Sequence, residues 1–381
     1  MNRTEQIFLQ AIQKSLWNAE ITLPADADWD AVLQEAEDQT VLGLAIIAAP
    51  KEKQLEWKSR SGIVMASFIR ILHYQEQLCM LLEANGIPLA ILKGTAAAIY
   101  YAKPEQRSMG DIDYLVPLEH FDRAKAILAQ NGFTIEEDPR SLRHITVYKD
   151  GITFEQHRRF SGEGIEIEQY ILEGMQHPEA GTIYGHSFPM LPKLANGLVL
   201  LGHMVQHLKS GLGLRQIIDW MMYVNRELTD DFWTQTFAPA AKEVGLLKVA
   251  VVATAMCKKY LGLPADIHWC DDAEEDLCLD LLESLLSSGN FNRKRGEDSA
   301  VETVTTRFAN EGLFQFLQIA GEYNWKAYHR HKWLRPFAWA YQIGRYIRQG
   351  VQAGRSKSQL ADDFHRGNKR AELLKRLGVG R

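Results

Sequence analysis

Asp111 and Asp113 stand two residues apart in Gly110-Asp111-Ile112-Asp113, the run that leads into Tyr114-Leu115-Val116. Alternate side chains of an extended chain share a face, so both carboxylates point one way while Ile112 and Tyr114 point the other. Side-by-side carboxylates repel unless a cation lies between them or water surrounds them. Hard divalent ions such as Mg²⁺ or Mn²⁺ take carboxylate oxygens together with water and substrate phosphates. The pair therefore reads either as a metal centre or as an acidic turn ahead of a strand.

Upstream, the apolar run Leu89–Leu92 meets Lys93-Gly94-Thr95 and then an Ala-rich segment of good helix propensity, which reads as strand, tight turn, helix. A glycine at that turn lets a ligand approach the backbone, and free amides at a helix start suit phosphate. The pattern G-x-x-x-x-G-K-[ST] is absent, so this is no P-loop, and a bare Gly-Thr is equally an ordinary turn. Downstream, Asp150-Gly151 between His144–Tyr148 and Ile152–His157 is a hairpin signal. Glu155 and His157 then share a face of the second arm, opposite Phe154, and Glu155 reads as a further metal ligand or as a solvated strand position. His203 and His207, and after them Arg215 and Asp219, are four apart on helical sequence and so share faces. The Glu of H-E-x-x-H is missing, which favours a polar helix interface over a metal site, and Arg215 with Asp219 reads as an ion pair that positions helices.

Glycine and a small hydroxyl residue after a strand, then a helix, then Asp-apolar-Asp-apolar on the next strand resemble the polymerase-β-like nucleotidyltransferase superfamily. More narrowly, Leu92-Lys93-Gly94, Tyr100, Arg107 and Asp111-Ile112-Asp113-Tyr114-Leu115-Val116 resemble a bacterial group of uncharacterised nucleotidyltransferases, through about residue 225. The resemblance implies an α+β fold: a polymerase-β-like nucleotidyltransferase core, a mixed sheet with flanking helices, between helical N- and C-terminal regions. It implies transfer of a nucleoside monophosphate from an NTP to an acceptor hydroxyl, with release of pyrophosphate. Asp111 and Asp113 would hold Mg²⁺ (or Mn²⁺) and Glu155 would complete the cage. Gly94 and Thr95 would cradle phosphates, Lys93 and Arg107 would neutralise them, with Lys93 equally able to pair with an Asp, and His157, His203, His207, Arg215 and Asp219 would line the cleft. The alternative is a non-catalytic nucleotide-binding or protein-interaction module on the same fold. A binding-only descendant tends to lose carboxylates, and the presence of all three favours the enzyme. The acceptor is left open among an aminoglycoside-like small molecule, a protein side chain and an RNA end.

Around these residues the chain reads as four parts: a helical region over 1–86, the α/β core over 87–192, a helical region over 193–350 and a polar basic tail over 351–381. With 381 residues, 46% of them hydrophobic, it can bury large cores. A formal charge of −5 gives no global basic field, so nucleic acid is not favoured as a partner of the whole chain. Cys79, Cys257, Cys270 and Cys278 form no C-x-x-C pair, which argues against a zinc ribbon or disulfide framework and for a cytoplasmic setting. No apolar run has the length of a membrane span.

The N-terminal region predicts helices through Ile47 and one long helix over Glu52–Ala84. Gly162–Gln169 reads as loop or short strand, and the stretch holding Pro178, Gly181, Gly185 and Pro189 shows no definite element. Helices follow from Leu191, and Asn292–Asp298 is polar. From Asn324 to Gly350, six Lys and Arg residues and no Asp or Glu are interleaved with aromatics. Aromatics at helical spacing read as core with a cationic rim, the alternative being a surface for nucleic acid or anionic membrane. Ala371–Leu377 has a short helical pattern, expected to fray.

Overall fold

The computed structural model describes residues 1–137, 143–160, 166–209, 211–290, 293–294, 313–352 and 357–379. The chain opens with helices α1 (Arg3–Trp17), α2 (Trp29–Asp38) and α3 (Leu42–Ala48). Asn2 starts α1 with a capping box, its side chain accepting from the Glu5 N–H while Glu5 reaches back to the Asn2 N–H. The expected single helix over Glu52–Ala84 is two, α4 (Lys51–Glu56) and α5 (Lys58–Ala84). Trp57 interrupts it because its ring turns onto the core beside α2, where Nε1 donates to Asp30 Oδ1 over 3.3 Å.

A seven-stranded mixed sheet follows, in the order β3-β4-β5-β2-β1-β7-β6. Its strands are β1 (Ala90–Leu92), β2 (Ile112–Leu115), β3 (Thr134–Glu136), β4 (His144–Lys149), β5 (Ile152–His157), β6 (Glu179–Ile183) and β7 (His186–Met190). β1 runs antiparallel to β2, while β2 runs parallel to β5 and β1 parallel to β7. The β6–β7 hairpin lies where the sequence showed no definite element. Its turn, Tyr184-Gly185, has φ of 51° and 85°, as a tight two-residue hairpin requires. Pro189 within β7 and Gly181 within β6 hid it, although Gly181 is there because Phe188 covers it so closely that a Cβ would collide.

Strand alternation divides the interior in two. Ile112, Tyr114 and Phe154 face a core closed by α5 (Phe68, Ile71, Leu72) and α7 (Phe121–Gln130). Leu92 and Leu115 face the other core, in which α1 to α3 mingle with α9 (Lys193–Leu208), α10 (Leu214–Glu227), α13 (Leu247–Leu261) and α14 (Glu275–Ser288). Thus the first helices of the chain and those beyond the sheet bury their apolar stripes against one another. This mixed sheet between helical N- and C-terminal regions is the architecture the resemblance implied. Of the loop expected at Gly162–Gln169, residues 162–165 lie outside the described residues, and Glu168 already begins α8 (Glu168–Gln176).

Two expectations for the C-terminal part fail. The helix Lys357–Arg376 does not fray where expected: Leu373, Leu374 and Leu377 enter the second core, and Arg376 bonds Asp276 and Asp280. The aromatics of Asn324–Gly350 are not core, since Trp333 is 71% exposed and Phe337 55%. The helices Leu313–Asn324 and Ala338–Gln352 meet through small residues, with Gly321 against the Ala338 carbonyl, and Trp325 stacks on Tyr341. A contact made by such small residues leaves the larger rings outside. Asn292 and 295–298 of the polar Asn292–Asp298 stretch lie outside the described residues.

Candidate active site

The face of the sheet that carries Leu115 also carries the polar cluster. In the parallel β2–β5 pair, Asp113 lies beside Glu155 and Leu115 beside His157; across the β4–β5 hairpin, His144 lies opposite His157. Period-two geometry therefore gathers Asp113, Glu155, His157 and His144 on one side, while Phe154 and Tyr114 anchor the same strands from the other. Asp111, just before β2, completes a carboxylate set: one oxygen from each of Asp111, Asp113 and Glu155 lies within 4.8 Å of the others.

The two aspartates differ in what surrounds them. Burial, then the neighbouring Asp113 charge, pushes the Asp111 carboxyl up to about 6. Burial acts on Asp113 in the same sense, but Lys93 and His157 outweigh it and hold that carboxyl well below the usual range. Lys93 Nζ stands 2.6 Å and His157 Nε2 2.9 Å from Asp113 Oδ1. Burial lowers the basicity of His157, yet its hydrogen bonds to Asp113 and Glu155 win and raise it. Lys93 reaches this position from a turn in which it and Gly94 have φ of 51° and 33°, a region L side chains rarely adopt. Such strain is held only where surroundings enforce it. Gly94 opens α6 (Gly94–Ala98), where a Cβ would make ordinary contact with the Met109 methyl at 3.5 Å, so its positive φ and not the space favours glycine.

Residues 25–262 match the family described as uncharacterised nucleotidyltransferase. The chain belongs to that family. No curated protein matches it. Solved structures similar to it include ANT(2")-Ia in complex with adenylyl-2"-tobramycin, at 15% identity over 50% of this chain and 98% of that one, TM-score 0.32. ANT(2'')-Ia in solution is similar at 15% identity over 50% and 92%, TM-score 0.31. An antigenic nucleotidyltransferase-like protein from Paracoccidioides brasiliensis is similar at 14% identity over 52% and 93%, TM-score 0.33.

In this nucleotidyltransferase the expected arginine roles are exchanged. Asp219 pairs with Arg107, not Arg215: Arg107 Nε and Nη2 donate to its two carboxylate oxygens, both at 2.7 Å, and the Tyr101 hydroxyl donates to the same group. The fork is buried and its charge is spent, which takes Arg107 away from any phosphate. The i, i+4 spacing of Arg215 and Asp219 points to the wrong arginine, because the partner of Asp219 is 112 residues away and no local pattern encodes it. Arg215 instead donates from Nη1 to the Ser108 carbonyl and, among the described residues, has no carboxylate within 4.0 Å. Its buried Nε also has no hydrogen-bond partner among the described residues. Burial and the nearby Arg107 charge lower its basicity, and Asp219 and Asp111 oppose that.

Thr95 is likewise committed, its hydroxyl donating 2.6 Å to the buried Gln75 amide oxygen, so it does not offer that hydroxyl to a phosphate. His203 and His207 face each other at 2.7 Å between Nε2 atoms on α9. Sequence reasoning passed over Tyr101 and His144. For Tyr101 no signal existed, while His144 was readable from the hairpin register.

Proposed function

We propose that the protein transfers a nucleoside monophosphate from an NTP to an acceptor hydroxyl, releasing pyrophosphate, with a divalent cation such as Mg²⁺ or Mn²⁺ held by Asp111, Asp113 and Glu155. The convergence of these three carboxylates beside the Lys93-Gly94 turn carries this reading. The residues fit such an ion: the donor set is all oxygen, and a cation would offset the burial and the Asp113 charge that together raise Asp111. When bound, the cation polarises the phosphoryl group and favours the ionised acceptor.

The chain's own residues supply the rest. Arg215 bears on the phosphates because no carboxylate in the described residues meets its charge, whereas Lys93, paired with Asp113 at 2.6 Å, neutralises the carboxylate cluster beside them. Glu155, 26% exposed at the side chain, accepts the acceptor proton as the acceptor oxygen bonds the α-phosphorus. The bond to the β-phosphate oxygen breaks, and pyrophosphate leaves with that electron pair. Asp219, with Arg107 and Tyr101, acts as a positioning residue that ties the 107–111 segment to α10.

Pyrophosphate release is measured across NTPs, Mg²⁺ or Mn²⁺, and acceptors that include aminoglycoside-like molecules, protein hydroxyls and RNA ends. Wild type should release it, and Asp111→Asn/Asp113→Asn should not. Silence of wild type over the whole panel would replace this reading with the nucleotide-binding module.

A further inference from the structure

Glu155 belongs to two clusters at once. His144 Nε2 stands 3.8 Å from Glu155 Oε1, and His157 Nε2, which also bonds Asp113, stands 3.4 Å from Oε2. The two imidazole rings lie beside each other, tilted by 48° with centroids 5.1 Å apart. One ligand atom from each of the three residues lies within 4.8 Å of the other two. Ligands bound to one tetrahedral cation at about 2.1 Å stand roughly 3.4 Å from each other, so His157 and Glu155 are already at that spacing and side-chain shifts of up to about an ångström draw His144 in to close the set around an ion. The backbone already holds it, because His144 and His157 are paired residues of the β4–β5 ladder and Glu155 is two positions from His157 on the same face.

We propose that His144, Glu155 and His157 form a second cation site that takes a borderline transition ion of the Zn²⁺ class and not Mg²⁺. Two imidazoles and one carboxylate suit Zn²⁺ or Co²⁺, whereas Mg²⁺ prefers oxygen ligands in octahedral geometry. Three protein ligands leave a fourth position open, and Glu155 and His144, each about a quarter exposed at the side chain, leave a path to solvent while His157 closes the base. The surrounding charge agrees in sign: the carboxylates of Asp111, Asp113 and Glu155 outnumber the nearby cations Lys93 and Arg215. Because Glu155 is common to both sets, and His157 must leave Asp113 to ligate, filling this site opposes filling the carboxylate cage. Zn²⁺ is therefore an inhibitor of Mg²⁺-dependent transfer. That last consequence rests on the proposed function; the site itself does not.

The test uses the metal-free full-length protein titrated with Co²⁺ and followed by its visible ligand-field absorption. Expected is one Co²⁺ per chain with the intense band of a tetrahedral site, displaced by Zn²⁺ but not by excess Mg²⁺. His144→Ala should weaken Co²⁺ binding at least about tenfold, since losing even an outer partner of a ligand costs about that much. His144→Phe, which keeps a ring against His157, should weaken it equally and guards against loss of folding in the first variant. Absence of the band in wild type, or unchanged Co²⁺ affinity in both variants, overturns the site. The readout needs no turnover: a band without pyrophosphate release leaves this site standing and removes the transferase reading, and release without a band does the reverse.

Discussion

Asp111 and Asp113 are two residues apart, yet their surroundings drive their ionisation in opposite directions, and the difference can be measured without substrate. Asp111 titrates at about 6 in the fold against 3.8 when free, so the stability linked to it is fully present below about pH 3.8 and is lost as pH rises through about 6. In metal-free protein, Asp111→Asn should therefore be more stable than wild type at pH 7.5, by up to about 3 kcal/mol, and similar to it near pH 4. Urea denaturation at the two pH values checks this, and equal stabilities at pH 7.5 would remove the argument that burial and the Asp113 charge disfavour the Asp111 carboxylate. Glu155 has a separate job on the acceptor side. Glu155→Gln should keep Mg²⁺·NTP binding within about tenfold while losing at least about a hundredfold in turnover. A Gln variant with the wild-type rate of pyrophosphate release would return Glu155 to the role of a solvated strand residue.

At the scale of elements, α9 carries a second titration of opposite sign. Burial, then Lys93 and Arg215, pushes His207 down to about 3, and burial with the His207 charge also holds His203 well below its ordinary value. Their 2.7 Å contact is a hydrogen bond as long as one ring stays neutral to accept; burial makes protonating either ring unfavourable, and protonating both breaks the contact. The linked stability is thus present above about pH 6.5 and is lost as pH falls from there towards about 3. Wild type should lose stability between about pH 6.5 and 5 more steeply than His203→Gln/His207→Gln, and parallel denaturation curves across that range would refute the pairing. How much of this was legible differs by element. β2, β4 and β5 were readable because period-two alternation and Asp150-Gly151 fix both faces and register: a two-residue turn pairs Lys149 with Ile152, and counting back pairs His144 with His157. β6 and β7 were not, because a proline and two glycines obscured their alternation. The Arg107–Asp219 fork was also beyond reach, since no local spacing encodes which arginine a distant fold brings to a buried carboxylate.

Across the whole molecule, the same residue type stands in two unlike environments. Trp220 on α10 is fully buried, donates 2.9 Å to Thr254 Oγ1 and packs against Tyr223 and Phe237 in the core that joins the first helices to the later ones. Trp333 lies in the basic aromatic segment between the helices Leu313–Asn324 and Ala338–Gln352, with 71% of its surface in solvent. The buried residues Leu317 and Ala338 of that helical pair belong to neither of the two cores, so its large rings add little to the cohesion of the rest. Sequence periodicity gives both tryptophans the same apolar weight and cannot separate them. Trp220→Ala should cost about 3–5 kcal/mol through the cavity it opens and the Thr254 hydroxyl it leaves unpaired, whereas Trp333→Ala should stay within about 0.5 kcal/mol. Chemical denaturation of the two variants beside wild type measures the contrast. A loss at Trp333 approaching that at Trp220 would mean that the segment is packed as core after all, restoring the reading that its aromatic spacing first suggested.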